Sequence, residues 1–246
     1  MHKTILRDSA ELIVINIRSV SDLKSDIDKY FVSICEGNSG NDLLIVKTSV
    51  KNLFTGKNET WKAGAIAEFF IHLHMIKNGF KMECLFQNLE ERSIKKGFDG
   101  LYSLQREMWL MESKAGFASS KKVSHKNKVK EAYSDIKDKI QTKQANNPWQ
   151  NAYNHACHKD VGASENIIEI LKFHKNNYIM NRFPSVNDFN LIPCGTVFVE
   201  GKEWPSDLKI REDISEIISN MDCNKLKVVC VTAQTISMFE KYLEEE

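Results

Sequence analysis

No apolar run in this 246-residue chain approaches the roughly 18 residues that a membrane-spanning helix requires. Uncharged apolar stretches such as 12–17 and 69–76 are far shorter. The amino terminus has no sustained apolar segment followed by a small-residue cleavage site, so a cytoplasmic location without membrane association is expected. Net charge is nearly absent too: 34 Lys and Arg stand against 33 Asp and Glu. The whole-protein field therefore gives no reason to expect polyanion binding, and charge must be read locally. The six cysteines, at 35, 84, 157, 194, 223 and 230, include no C-x-x-C pair, which argues against a zinc ribbon or a dithiol redox centre and for reduced thiols. Internal repeats and low-complexity tracts are also missing.

What is present is enough apolar content, 42%, for a globular core. Dense aliphatic and β-branched residues at 11–19 and 42–50 flank a helical pattern at 21–35, so residues 1–56 are expected to form an N-terminal β-α-β element. Trp61, Ala65, Phe69, Leu73 and Ile76 then recur at helical spacing, with Gly79 placed to terminate the helix. Three strand-length runs follow at 80–87, 98–104 and 107–114, the last two separated by Gln105-Arg106 as in a tight hairpin. Val129, Tyr133, Ile136 and Ile140 mark an amphipathic helix over 124–143, ended by Asn146-Asn147-Pro148. A loop containing His155, Cys157 and His158 is expected next. The remainder reads as a helix at 164–180, a strand at 191–200, a helix at 206–221, a strand at 225–232 and a helix at 234–245.

The chemistry concentrates in Gly97-Phe98-Asp99-Gly100 and Glu112-Ser113-Lys114. Side chains two apart on a strand share a face, so Glu112 and Lys114 enter one cleft. Asp99 lies thirteen positions before Glu112, a distance that a hairpin closes. Asp99 and Glu112 are hard oxygen ligands suited to magnesium or manganese. Lys114 adds a positive charge that can orient water and stabilise a phosphorane. Glu68, at the margin of the apolar stripe of its helix, is a fourth candidate. His155, Cys157 and His158 lack a second spaced pair, and zinc is not expected there.

These positions resemble the PD-(D/E)xK phosphodiesterase superfamily. Helix glutamate Glu68, strand aspartate Asp99 and the Glu112-x-Lys114 strand stand in that family's order across about a third of the chain, with Phe98 where the family name has proline. The resemblance implies an α/β fold with a restriction-endonuclease-like core, α-β-β-β-α-β, in which a central mixed sheet is flanked by helices. Residues 57–246 would form this domain with C-terminal α/β elements added. It also implies catalytic roles for Glu68, Asp99, Glu112 and Lys114. The runs Ala63-Gly64-Ala65-Ile66-Ala67-Glu68, Lys96-Gly97-Phe98-Asp99-Gly100, Glu112-Ser113-Lys114-Ala115-Gly116 and Ala132-Tyr133 are similar to the HamA group, nuclease subunits of Hachiman antiphage systems. That likeness implies DNA as substrate and a helicase partner of the HamB type that restrains and releases the nuclease.

Between Lys114 and Lys143 there are nine lysines against three acids, a basic segment beside the proposed site. Lys121, Lys122, Lys126, Lys130 and Lys137 are the expected phosphate contacts, fixing position without reading base sequence. The acid-rich tail, closing on Glu244-Glu245-Glu246, would repel DNA. Two alternatives stay open on these residues: a non-catalytic subunit that binds DNA or a helicase on the same fold, and RNA rather than DNA as the substrate.

Overall fold

The computed structural model describes residues 2–7, 10–87 and 97–245; Lys96 of the Asp99 motif and Glu246 of the acidic tail lie outside them. The fold is α/β, a mixed seven-stranded sheet in the order β1-β2-β7-β6-β5-β4-β3 with helices on both faces. The strands are β1 (His2–Arg7), β2 (Ala10–Ile17), β3 (Lys81–Met82), β4 (Gly100–Leu104), β5 (Glu107–Phe117), β6 (Asn190–Phe198) and β7 (Lys225–Ala233). Strands β2, β7, β6 and β5 run parallel, whereas β1, β4 and β3 pair antiparallel towards the edges.

One apolar cluster lies under α1 (Lys24–Cys35), α2 (Leu43–Phe54), α3 (Glu59–Lys77) and α8 (Ser237–Glu244). The other lies under α4 (His125–Gln141), α5 (Pro148–Ala156), α6 (Glu165–Ile179) and α7 (Asp207–Ile218). Alternation along the strands divides the two: Trp109 and Met111 of β5 join the first cluster and Leu110 the second, as a two-residue period requires. All nine residues of β6 are buried, the run expected of a parallel strand covered on both faces.

Three local expectations are corrected. Residues 42–50 are not a strand but most of α2, because Val46, Val50 and Phe54 recur every fourth residue and are buried together; that helical stripe outweighs the β-branched content. The N-terminal segment is therefore β-β-α-α rather than β-α-β, and β2 pairs with β7 of the main sheet. Residues 80–87 form only the short β3, since later backbone groups turn elsewhere: Leu85 N–H donates to His155 Nε2 at 2.8 Å and Phe86 N–H to the Ile34 carbonyl at 2.9 Å. The segment holding His155 is helix α5, not a loop. Asn147 caps it by accepting from Trp149 and Gln150 N–H, with Pro148 at its first position, so Asn-Pro starts a helix here, whereas α4 has already ended at Gln141.

Two buried histidines, His74 of α3 and His125 of α4, are pushed by burial down to about 4 from an ordinary 6.5. His125 Nε2 lies 3.0 Å from the Val231 carbonyl and 3.1 Å from Thr232 Oγ1, tying α4 to β7. Across that interval the unfolded chain binds more protons than the folded one, so stability falls as pH drops from about 6.5 to about 4. Each histidine accounts for at most about 3 kcal/mol. Thermal melts across this range should show the decline, and His125→Gln should flatten it.

Candidate active site

The β4–β5 hairpin turns at Gln105 and Arg106, both with positive φ (51° and 69°). This is the two-residue geometry whose twist suits adjoining strands. It sets Gly100 opposite Met111, and continuing that register by one residue puts Asp99 opposite Glu112. The two segments are stitched there: Asp99 N–H donates to Glu112 Oε1 at 3.2 Å, and Ser113 N–H donates to Asp99 Oδ2 at 2.9 Å. Gly100 permits the approach, because a Cβ there would stand 2.7 Å from the Met111 methyl. Lys114 follows on the same face as Glu112, with Nζ 3.8 Å from Glu112 Oε2. Asp99, Glu112 and Lys114 are thus brought together.

Helix α4 packs over β5 and β6 and adds two groups that the sequence reading counted only as charge. Lys139 Nζ donates to Glu112 Oε1 at 2.5 Å and stands 3.7 Å from Asp135 Oδ2. Asp135 in turn accepts from Lys114 Nζ at 2.5 Å. Their signal was an acid–lysine pair at i, i+4 beside the buried Ile136 and Ile140, where a charged pair cannot reach open solvent freely. Glu112 is fully buried. Burial, then the Asp99 charge, push its carboxyl well above the usual range against the opposing pull of Lys139. For Asp135, burial opposes ionisation, but the Lys114 hydrogen bond and the charges of both lysines hold it low. Burial works against the ammonium of Lys114, and the Asp135 hydrogen bond with the surrounding carboxylates overcomes it.

Glu68 sits under the other face, on α3. Its Oε1 is 3.2 Å from His72 Nε2, and His72 Nδ1 is 2.6 Å from the Tyr102 hydroxyl. Tyr102 lies on β4 two residues beyond Gly100, so this buried relay borders the Asp99 segment from behind. Burial, foremost, holds the Tyr102 phenol well above its ordinary value, with the Glu68 and Asp99 charges adding to it.

Among the expected phosphate contacts, Lys126 is tied to Glu216 of α7, while no ion pair is found among the described residues for Lys121, Lys122, Lys130 or Lys137. Lys121 and Lys122 occupy the turn between β5 and α4, just past the strand that carries Lys114. The tail acids partly serve internal pairs: Glu245 with Lys24, Glu244 with Lys51 and Glu240 with Lys62. His155 accepts the Leu85 backbone bond and is structural.

Among the described residues no group of three or more His, Cys, Asp or Glu side chains is arranged to hold a metal. Two carboxylates, however, are the usual protein share of a magnesium site. Glu112 Oε2 is buried and accepts no hydrogen bond, a costly state for a carboxylate oxygen. That oxygen, 3.8 Å from Lys114 Nζ on the carboxyl whose Oε1 accepts from Asp99 N–H, fits a hard divalent cation. No protein-family model matches the chain, and no curated protein matches it in sequence.

The Asp99 segment is clamped from below. Phe98 packs edge-on to Trp149 at 5.0 Å, and a Cβ on Gly97 would meet the Pro148 carbonyl oxygen at 1.8 Å. Gly97→Ala should therefore cost about 1–3 kcal/mol, seen as a lower urea midpoint. The control Gly64→Ala, on α3 with nothing within 4 Å, should be neutral or stabilising by up to about 1 kcal/mol.

Proposed function

We propose that this chain is a metal-dependent deoxyribonuclease built on a restriction-endonuclease-like core. The observation that carries the reading is the meeting of Asp99, Glu112 and Lys114 at the end of β4–β5, with a buried Glu112 oxygen left without a hydrogen bond. The element order α3-β3-β4-β5-α4-β6 and the strand order β6-β5-β4-β3 support the core assignment. Asp99 and Glu112 are the proposed ligands of magnesium or manganese, which when bound supplies Lewis-acid activation of water and phosphate. Lys114, held at 2.5 Å by Asp135, is poised to orient the attacking water and to balance charge building on the phosphate. Glu68 acts from behind through His72 and Tyr102, supporting the backbone that presents Asp99. Lys121, Lys122, Lys130 and Lys137 are the proposed phosphate contacts.

The likeness to HamA nuclease subunits supports a narrower proposal, an effector of a bacterial antiphage complex restrained and released by a helicase partner. The closed cluster of Glu112, Lys114, Asp135 and Lys139 favours a second reading, a non-catalytic subunit in which these charges only brace α4 on the sheet.

Cleavage of plasmid DNA with magnesium or manganese separates the two. Activity should vanish on chelation and fall about 10²–10³-fold in Lys114→Ala, with Glu112→Ala at least as severe. Activity unchanged in both variants would overturn the nuclease reading. Parallel RNA strands test the sugar preference. DNA binding should weaken with salt by a log–log slope of about −0.9 per engaged phosphate; Lys121→Ala and Lys122→Ala should make the slope shallower, and Lys126→Ala should not.

A further inference from the structure

The nuclease reading gives Lys114 a role but leaves the second ammonium at the site without one, and the role inferred for that ammonium rests on this reading. Lys139 is largely enclosed, with its side chain 20% exposed. Its Nζ donates to Glu112 Oε1 at 2.5 Å, while Asp135 Oδ2, one helical turn away on the same helix, is already within 3.7 Å. Asp99, Glu112 and Asp135 set three carboxylates against the ammoniums of Lys114 and Lys139. A divalent ion bonded to Glu112 would stand a few ångströms from the Lys139 ammonium, and like charges that close in a poorly solvated site repel strongly. The ion and the ammonium therefore compete for one carboxylate. Asp135 offers the ammonium a second berth, since a carboxylate accepts several donors at once, and a rotamer change on α4 is enough to reach it.

We infer that Lys139 is a positioning residue that holds Glu112 in the metal-free site and passes to Asp135 when a divalent cation binds. Its ammonium keeps the empty site assembled, and Asp135 is the acceptor that lets the cation in. Two substitutions then act in opposite directions. Lys139→Met removes the competitor, so Mn²⁺ should bind about 10–100-fold more tightly than to the parent chain, a gain as large as the loss that follows when a supporting outer-shell partner is removed. Asp135→Asn removes the receiving charge, so Mn²⁺ should bind more weakly by a similar factor. A cluster that only braced the helix would move both variants the same way.

The test is Mn²⁺ titration of the full chain by calorimetry, with free Mn²⁺ followed by electron paramagnetic resonance and melting temperature recorded with and without the ion. In Lys139→Met the melting temperature without metal should drop and the rise on adding Mn²⁺ should exceed that of the parent. Asp135, 34% exposed at its side chain, provides the second measurement should Lys139→Met not fold. Equal or weaker Mn²⁺ binding in Lys139→Met, or unchanged binding in Asp135→Asn, overturns the exchange while leaving the nuclease reading intact, provided Glu112→Gln abolishes binding in the parent background. Binding that survives Glu112→Gln, or no binding to any form, overturns both.

Discussion

The pairing of Gly100 with Met111 is the constraint on which the site depends. The hairpin turn fixes that register, and the register alone sets an aspartate beside a glutamate. A slip of one residue would send every β5 side chain to the opposite face, leaving Glu112 under α3 and Asp99 without its bond from Ser113. The stitches between Asp99 and β5 and the steric fit of Gly97 against Pro148 then resist motion of the segment. The chemistry is placed by backbone geometry first and by electrostatics second.

Electrostatics hold the arrangement together. Five charged groups crowd around the fully buried Glu112, where an uncompensated charge is strongly unfavourable, with Lys114 and Asp135 partly exposed at the rim. Sharing is the solution adopted: Lys139 spans Glu112 and Asp135, and Lys114 spans the same two acids. The balance is imperfect, since acids outnumber ammoniums and one Glu112 oxygen accepts nothing. Such incomplete compensation is common where a structure retains groups for chemistry rather than for stability.

Much of this was legible in the residues themselves. Helix α3, the β4–β5 hairpin and α4 follow from strong local periods and turn chemistry, and the trio of Asp99, Glu112 and Lys114 follows from strand geometry. Helix α2 was missed because its β-branched residues masked a four-residue stripe, one of whose partners, α8, is distant in sequence. Helix α5 was missed because Asn147-Pro148 signals a stop and a start with the same two residues. Lys139 and Asp135 looked like surface charge because nothing local shows that α4 lies across β5. Lys126 looked free for phosphate because its partner, Glu216, is 90 residues away. Except at α5, the missing term was a tertiary neighbour.

The parallel pairing of β2 with β7 has a kinetic consequence. Residues 10–17 find their parallel neighbour only at 225–233, so that side of the sheet cannot close until residue 233 has left the ribosome. Topologies dominated by such remote pairings fold slowly, because the intervening loop must be closed before the contact rewards it. Strand β6, which flanks the strand bearing Glu112 and Lys114, is itself bordered by β7. A chain synthesised only as far as β6 thus lacks the strand that completes the support behind its charged cluster, and the order of synthesis defers assembly of that cluster until residues 225–233 have emerged.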